Sequence, residues 1–204
     1  MLNPPKARIA VLVSGGGTNL QALIDAQNNG ILVSGSLALV VSGNREAYAL
    51  TRAADAGIPT CTIIRRDFSD RDAFETAMIE VLRRENIDLI ILAGYLTILG
   101  TKFISAFPNR IINVHPSLIP SFCGEGYYGL RVHRAALDRG VKVTGATVHY
   151  VNEIPDGGEI LLQKAVEIEE GDTPEILQRR VMEQAEWILL PRAAELVCQK
   201  ILEV

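Results

Sequence analysis

The feature that most constrains the fold is a short apolar run that ends in glycines and leads into a helical pattern. Residues 8–13 (RIAVLV) are almost wholly apolar, and the glycine-rich segment Ser14–Asn19 (SGGGTN) follows them directly. Leu20, Leu23 and Ile24 then recur at helical spacing. A buried strand, a glycine loop and a helix in this order are typical of the first unit of a parallel sheet that is covered by helices.

The same unit recurs along the first half of the chain. Further short apolar runs, which we interpret as strands, occupy residues 37–41, 61–64, 88–92 and 111–114. Amphipathic patterns, which we interpret as helices, cover residues 46–56 and 71–85. Because buried runs alternate with helices, the sequence predicts an α/β fold, with a Rossmann-like, mostly parallel twisted sheet and helices on both faces.

The pattern changes in the C-terminal part of the chain. Residues 144–151 alternate in polarity and residues 160–168 are again strand-like, so we expect antiparallel strands to extend the sheet there. A last helix is predicted from Thr173 to Ile201. Pro191 is expected to kink or break this helix, because proline has no N–H to donate.

Length and composition narrow the class of protein. The chain has 204 residues without a long polar linker, so residues 1–204 are expected to form a single domain. No apolar run approaches the roughly 20 residues that span a bilayer, which argues against a membrane role. The formal charge of −4 argues against a broad nucleic-acid surface. The three cysteines lack the spacing of a zinc site or a disulfide scaffold. We therefore expect a cytoplasmic protein with small-molecule partners and no metal.

The glycine loop is the first candidate binding site. Its free N–H groups and the positive end of the following helix favour an anion, and Thr18 and Asn19 could add donors. The alternative is a tight turn with nothing bound. The loop lacks the Gly-Lys-Ser/Thr ending of a nucleotide triphosphate loop and the full spacing of the dinucleotide fingerprint. A phosphate monoester on a small substrate is the remaining interpretation.

The segment Asn113–Leu118 (NVHPSL) is the candidate catalytic site. Asn113 and His115 are two residues apart, so their side chains leave an extended strand end on the same side and can polarise one atom. The alternative is a turn asparagine and a buried structural histidine. Asp156 is followed by two glycines, and without other information it would be a turn acid. His133 and His149 are interpreted as structural.

Four segments in one order carry a family resemblance: residues 14–21 (SGGGTNLQ), 92–96 (LAGYL), 113–120 (NVHPSLIP) and 156–158 (DGG). Together they resemble the phosphoribosylglycinamide formyltransferase family, over nearly all of the chain. The histidine segment alone is shared with methionyl-tRNA formyltransferase and formyltetrahydrofolate deformylase, which carry additional domains that this chain has no room for.

The resemblance implies transfer of a formyl group from 10-formyltetrahydrofolate, the cosubstrate, to the amino group of glycinamide ribonucleotide in purine biosynthesis. Asn113 and His115 would stabilise the oxyanion of the tetrahedral intermediate, with His115 as general acid. Asp156 would sustain the imidazolium and pass a proton through water. The halves at residues 7–110 and 111–204 would bind phosphate and carry the catalytic and folate sites, respectively, in a monomer or weak homodimer.

The resemblance also assigns substrate contacts. On the ribonucleotide side these are Gly17, Thr18, Asn19 and Glu186, with Glu183 able to share the role of Glu186. On the folate side they are Arg71, Leu96, Thr97, Ile98, Leu99, Asn113, Asn152, Glu153, Ile154, Pro155 and Asp156. For Arg71 a solvated helix charge is an equal alternative. Residues 121–129, rich in glycine and aromatic side chains, are expected to form a mobile flap beside the reacting centre.

Two other functions remain open at this point. Hydrolysis of formyltetrahydrofolate would use the same amide, imidazole and carboxylate with water as the nucleophile, but water needs no phosphate loop. A non-catalytic ribonucleotide-binding or folate-binding module would not need the groups that handle protons.

Overall fold

A seven-stranded sheet forms the centre of the protein, which a computed structural model describes for residues 5–203. The sheet has the strand order β3-β2-β1-β4-β5-β6-β7. Strands β1 to β5 pair in parallel, and β6 and β7 are added antiparallel, as the sequence predicts. The strands are β1 (Ala7–Val13), β2 (Gly35–Ser42), β3 (Thr60–Thr62), β4 (Leu89–Leu92), β5 (Ile111–His115), β6 (Val143–Tyr150) and β7 (Ile160–Glu167).

Helices cover both faces of the sheet. They are α1 (Thr18–Asn28), α2 (Tyr48–Asp55), α3 (Arg71–Arg84), α4 (Thr101–Ala106), α5 (Leu130–Arg139), α6 (Pro174–Val181) and α7 (Trp187–Leu202). Successive residues of β1 point to opposite faces: Ile9 and Val11 pack with α1, α2, α6 and α7, whereas Ala10 and Leu12 pack with α3 and α4. The wholly apolar runs are therefore strands buried on both sides.

The strand order reverses between β1 and β4, and this reversal positions the site. From β1 the chain proceeds outward to β2 and β3, then returns to the other side of β1 to form β4 and β5. In open α/β sheets, ligands bind outside the carboxyl ends of the strands at such a reversal. The glycine loop after β1 and the turn after β4 both lie there.

The break that Pro191 could cause in the last helix does not occur. The α-helix α7 continues through Pro191, and the irregular turn lies upstream, where Met182–Glu186 form a wide π-helical turn between α6 and α7. Helical backbone thus runs from Pro174 to Leu202 without leaving the helical form. A wide turn can accommodate a helix in which one N–H donor is missing. Thr173 caps the start of α6, accepting from the N–H of Ile176.

Candidate active site

A cleft of about 830 Å³ opens at the carboxyl ends of the strands and joins segments that are far apart in sequence. Its wall contains the glycine loop, the turn after β4, the end of β5, the flap, the Asp156 turn and the π-helical turn. The structure therefore brings Gly17, Thr18 and Asn19 into one cavity with Asn113, His115, Asp156 and Glu186.

The glycine loop combines one structural glycine with two that leave open space. Gly17 has φ +72°, and a Cβ there would lie 2.6 Å from the Cβ of Ala49, so α2 and the backbone both require glycine. A Cβ on Gly15 or Gly16 would have nothing within 4 Å. Gly17 also precedes α1 without a side-chain cap, so no cap competes for the first N–H groups of the helix. This is the arrangement that binds an anion.

The amide, the imidazole and the carboxylate meet at the end of β5. His115 Nδ1 lies 3.4 Å from Asp156 Oδ2, and Asn113 Nδ2 lies 3.4 Å from Asp156 Oδ1. Asp156 is held in place by its loop, in which a Cβ on Gly158 would lie 1.7 Å from the carbonyl oxygen of Tyr150. The contact between Asp156 and His115, which the sequence could not establish, is present in the structure.

Burial and the pairing of charges shift the pKa values of His115 and Asp156 in opposite directions. Burial lowers the pKa of His115, whereas the charge of Asp156 and the carbonyl of Phe122 favour the imidazolium, and the net shift is downward. For Asp156, burial favours the protonated form, but the neighbouring His149 ring, the charge of His115 and the N–H of Gly124 together lower the pKa. Asp156 is thus held as a carboxylate beside a histidine that binds a proton less readily than usual.

His149 belongs to this cluster, although sequence reasoning treated it as structural. β5 and β6 pair so that His149 lies opposite Asn113. Its Nδ1 lies 2.8 Å from the carbonyl oxygen of Tyr150, which can only accept, so the other nitrogen, Nε2, accepts from Asn113 Nδ2 at 3.2 Å. His149 therefore fixes the orientation of the amide. His149 follows Thr147 by two residues on this alternating strand, so the two side chains leave on the same side, and this was the available signal.

Glu186 faces the cleft from the π-helical turn. It is buried, and its Oε2 accepts a hydrogen bond of 2.7 Å from Asn19 Nδ2. Burial raises the pKa of Glu186 to about 7, against the opposing effect of the bond from Asn19. Glu183 is exposed, pairs with Arg179 at 2.8 Å and is not part of the cleft wall.

A smaller cavity of about 150 Å³ adjoins the catalytic cluster and shares Asn113 and Asp156 with the larger cleft. The predicted folate contacts other than Arg71 line it: Leu96, Thr97, Ile98, Leu99, Asn113, Asn152, Glu153, Ile154, Pro155 and Asp156. Leu96, Ile98 and Ile154 are exposed apolar side chains, which suits the faces of a flat ring. Arg71 lies at the start of α3, exposed and outside both cavities.

The flap touches both groups that handle protons. The carbonyl oxygen of Phe122 lies 2.9 Å from His115 Nε2, and the N–H of Gly124 donates to Asp156 Oδ2 at 2.8 Å. His115 thus has an acceptor on each side of its ring. The mobility of residues 121–129 stays a prediction.

Residues 5–203 lack two kinds of structural feature. No helix there is long and apolar enough to cross a membrane. Across the same residues, no group of three or more histidine, cysteine or acidic side chains could hold a metal ion.

The fold and the cleft are those of an enzyme class that handles formyl groups. The family model described as Formyl transferase matches residues 7–193, and the chain belongs to this family. Within the family, its relatives include the phosphoribosylglycinamide formyltransferase of Haemophilus influenzae, 42% identical over 87% of this chain and 81% of that protein. The crystal structure of glycinamide ribonucleotide transformylase 1 from Symbiobacterium toebii has a TM-score of 0.89 at 42% identity, covering 96% of this chain and 89% of that chain.

A third relative is much longer. The trifunctional purine biosynthetic protein adenosine-3 of Bos taurus is 43% identical over 96% of this chain, but the match covers 19% of that protein. The chain therefore spans about a fifth of the length of this relative.

Proposed function

We propose that this protein transfers the formyl group of 10-formyltetrahydrofolate to the amino group of glycinamide ribonucleotide. The observation that carries the proposal is the joining, in one cleft, of an anion-binding glycine loop with the cluster of Asn113, His115 and Asp156. The phosphate would lie at the glycine loop and the ribose hydroxyls at Glu186. The folate would occupy the smaller cavity, and the reacting carbon would lie between the two ligands.

Asn113 and His115 stabilise the charge that develops on the formyl oxygen. When the amine attacks the formyl carbon, a C–N bond forms and the carbonyl electrons move to oxygen. Asn113 can donate to that oxygen the Nδ2–H that faces Asp156 Oδ1 at 3.4 Å in the free protein, while its other Nδ2–H stays on His149 Nε2. His115 can donate from Nε2 after the carbonyl of Phe122 gives up this position, so the flap has to shift when the formyl oxygen enters.

Asp156 completes the transfer of the proton. The amine loses one proton on becoming an amide, and the folate nitrogen gains one as its bond to the formyl carbon breaks. A carboxylate whose pKa is lowered can take the first proton through a water molecule and return it to the leaving nitrogen. The same carboxylate stabilises the His115 imidazolium, because the two charges lie 3.4 Å apart.

Hydrolysis of formyltetrahydrofolate is the second candidate function, and an absorbance assay distinguishes the two. The deformylation of 10-formyltetrahydrofolate is followed with glycinamide ribonucleotide present and then omitted. The transferase gives a rate that depends on the ribonucleotide and forms the formylated product. Equal rates with and without ribonucleotide would support the hydrolase and refute our proposal. A phosphate loop favours the transferase, since water needs no anchor.

The remaining parts of the proposal concern the surroundings of the reaction. The chain acts on small molecules in the cytoplasm, as a monomer or weak homodimer, and without a metal. Arg71 lines neither cavity, so its place near the folate tail rests on the family resemblance.

A further inference from the structure

His133 is a buried titratable side chain of the cleft wall that the proposed mechanism does not use. It has no exposed surface, and neither ring nitrogen has a hydrogen-bond partner among residues 5–203. Leaving a buried polar group unpaired is costly, so a histidine with two such atoms is unusual in a well-packed domain. Because His133 also lines the cleft, a bound ligand is a natural source of the missing partners.

The position of His133 indicates which part of a ligand it meets. It lies in the first turn of α5 and lines the same cleft as Met182, Glu186 and His115. Burial, and then the charge of His115, lower its pKa to about 4. The ring is therefore neutral near pH 7, with one N–H donor and one acceptor nitrogen.

Glycinamide ribonucleotide carries a matching group at that position. Between the ribose and the reacting amine lies an amide linkage, which has one N–H donor and one carbonyl acceptor. With the ribose at Glu186 and the amine at His115, this linkage lies between them, in the cleft whose wall also contains His133. We infer that His133 hydrogen-bonds the amide linkage and thereby positions the amine for attack. The inference rests on the proposed function.

Contact with His133 requires a small movement of the cleft wall, because the ring is closed to solvent in the free protein. The first turn of α5 continues directly from the flap. The N–H groups of Arg131 and Val132 donate to the carbonyls of Tyr128 and Gly129, and Gly129 has φ +53°. A shift of the flap, which the proposed entry of the formyl oxygen requires, would therefore also move the turn that carries His133.

The experiment compares two ligands on two variants. His133→Leu keeps an apolar side chain of similar size without polar atoms, and His133→Gln keeps a donor and an acceptor. Calorimetry measures the Kd of glycinamide ribonucleotide and of 1,4-anhydroribitol 5-phosphate, which has the phosphate and the diol but nothing at the anomeric carbon. Thr144→Val is the matched control, since it removes another unpartnered buried polar atom away from the cleft.

We expect His133→Leu to weaken binding of glycinamide ribonucleotide about tenfold, as for the loss of one to two hydrogen bonds, and to leave the truncated ligand within about twofold. His133→Gln should recover part of the loss, and Thr144→Val should bind both ligands like wild type. KM for the ribonucleotide should rise with KM for the folate unchanged.

Equal weakening of both ligands, or no weakening of either, would overturn the inference. If His133→Leu does not fold, His133→Gln is tested with the same ligand pair, and unequal loss between the ligands is again required. Failure of wild type to bind glycinamide ribonucleotide would refute the proposed function instead, so the two failures are distinguishable.

Discussion

Acidification should destabilise the wild-type protein through His133, and His133→Leu should remove this effect. The pKa of His133 is lowered from 6.5 to about 4 in the folded state, chiefly by burial. The unfolded chain therefore takes up a proton on this group before the folded protein does. The contribution of this difference to the free energy of unfolding is fully present above pH 6.5 and is lost as the pH falls towards 4.

The magnitude follows from the two pKa values. Between about pH 7.5 and about pH 5 the difference in proton binding amounts to about 2 kcal/mol, since one pKa unit corresponds to about 1.4 kcal/mol. Glu186 acts in the opposite direction, because its raised pKa of about 7 stabilises the folded state at low pH and loses that effect as the pH rises. Glu186 and His115 are present in both proteins, so their contributions cancel in the comparison.

Urea unfolding at the two pH values tests the reasoning. The free energy of unfolding of wild type should fall by about 2 kcal/mol more than that of His133→Leu. Thr144→Val should follow wild type, because it leaves the histidine in place. At the higher pH, His133→Leu should be at least as stable as wild type, since it removes two unpaired buried nitrogens. Parallel losses of stability in wild type and His133→Leu would refute the burial of a neutral imidazole.

Three further predictions concern the cluster and the ribose end. His115→Ala should lower kcat by about a hundredfold or more in single-turnover assays while the Kd of the ribonucleotide changes little; a large loss of binding with unchanged turnover would contradict its role as an acid. Asp156→Asn should lower the pKa of His115 further, measured by NMR titration, because it removes a charge 3.4 Å away; an unchanged titration would show that the pair does not interact. Glu186→Gln should raise the unfolding temperature at about pH 8, where wild type buries the charge, and weaken ribonucleotide binding; a lower unfolding temperature would show that the charge is stabilised.

The sequence predicted the fold best in segments whose structure depends on residues that are close together along the chain. The apolar runs became β1, β2, β4 and β5 because a strand covered on both faces has to be largely apolar, and β3 formed at the sheet edge with its ends exposed; the bounds of all five agree with the sequence within one or two residues. The glycine loop was predicted equally well, because Gly17 has a left-handed backbone conformation and lies so close to α2 that there is no room for a side chain. The short helix α4 was not predicted. It depends on Glu75, a buried side chain of α3 that accepts from the N–H groups of Gly100 and Phe103, and this contact is not local in sequence.

Contacts between distant segments account for what the sequence could not reveal about the site. The role of His149 depends on the register of β5 with β6, which places it opposite Asn113. A shift of one residue would turn His149 to the other face, and a sequence pattern does not fix that register.

At the ribose end of the site, the sequence could not decide between two glutamates of one helical segment. Glu183 and Glu186 are three residues apart, so a regular α-helix would place them on one face and make them equal candidates. The turn that contains both is π-helical, and a wide turn changes the phase of the side chains that follow it. Glu186 consequently lies buried against Asn19, while Glu183 points outward to Arg179. The irregular turn of this helix thus lies at Met182–Glu186, upstream of Pro191, where it separates the two glutamates and aims one of them into the cleft.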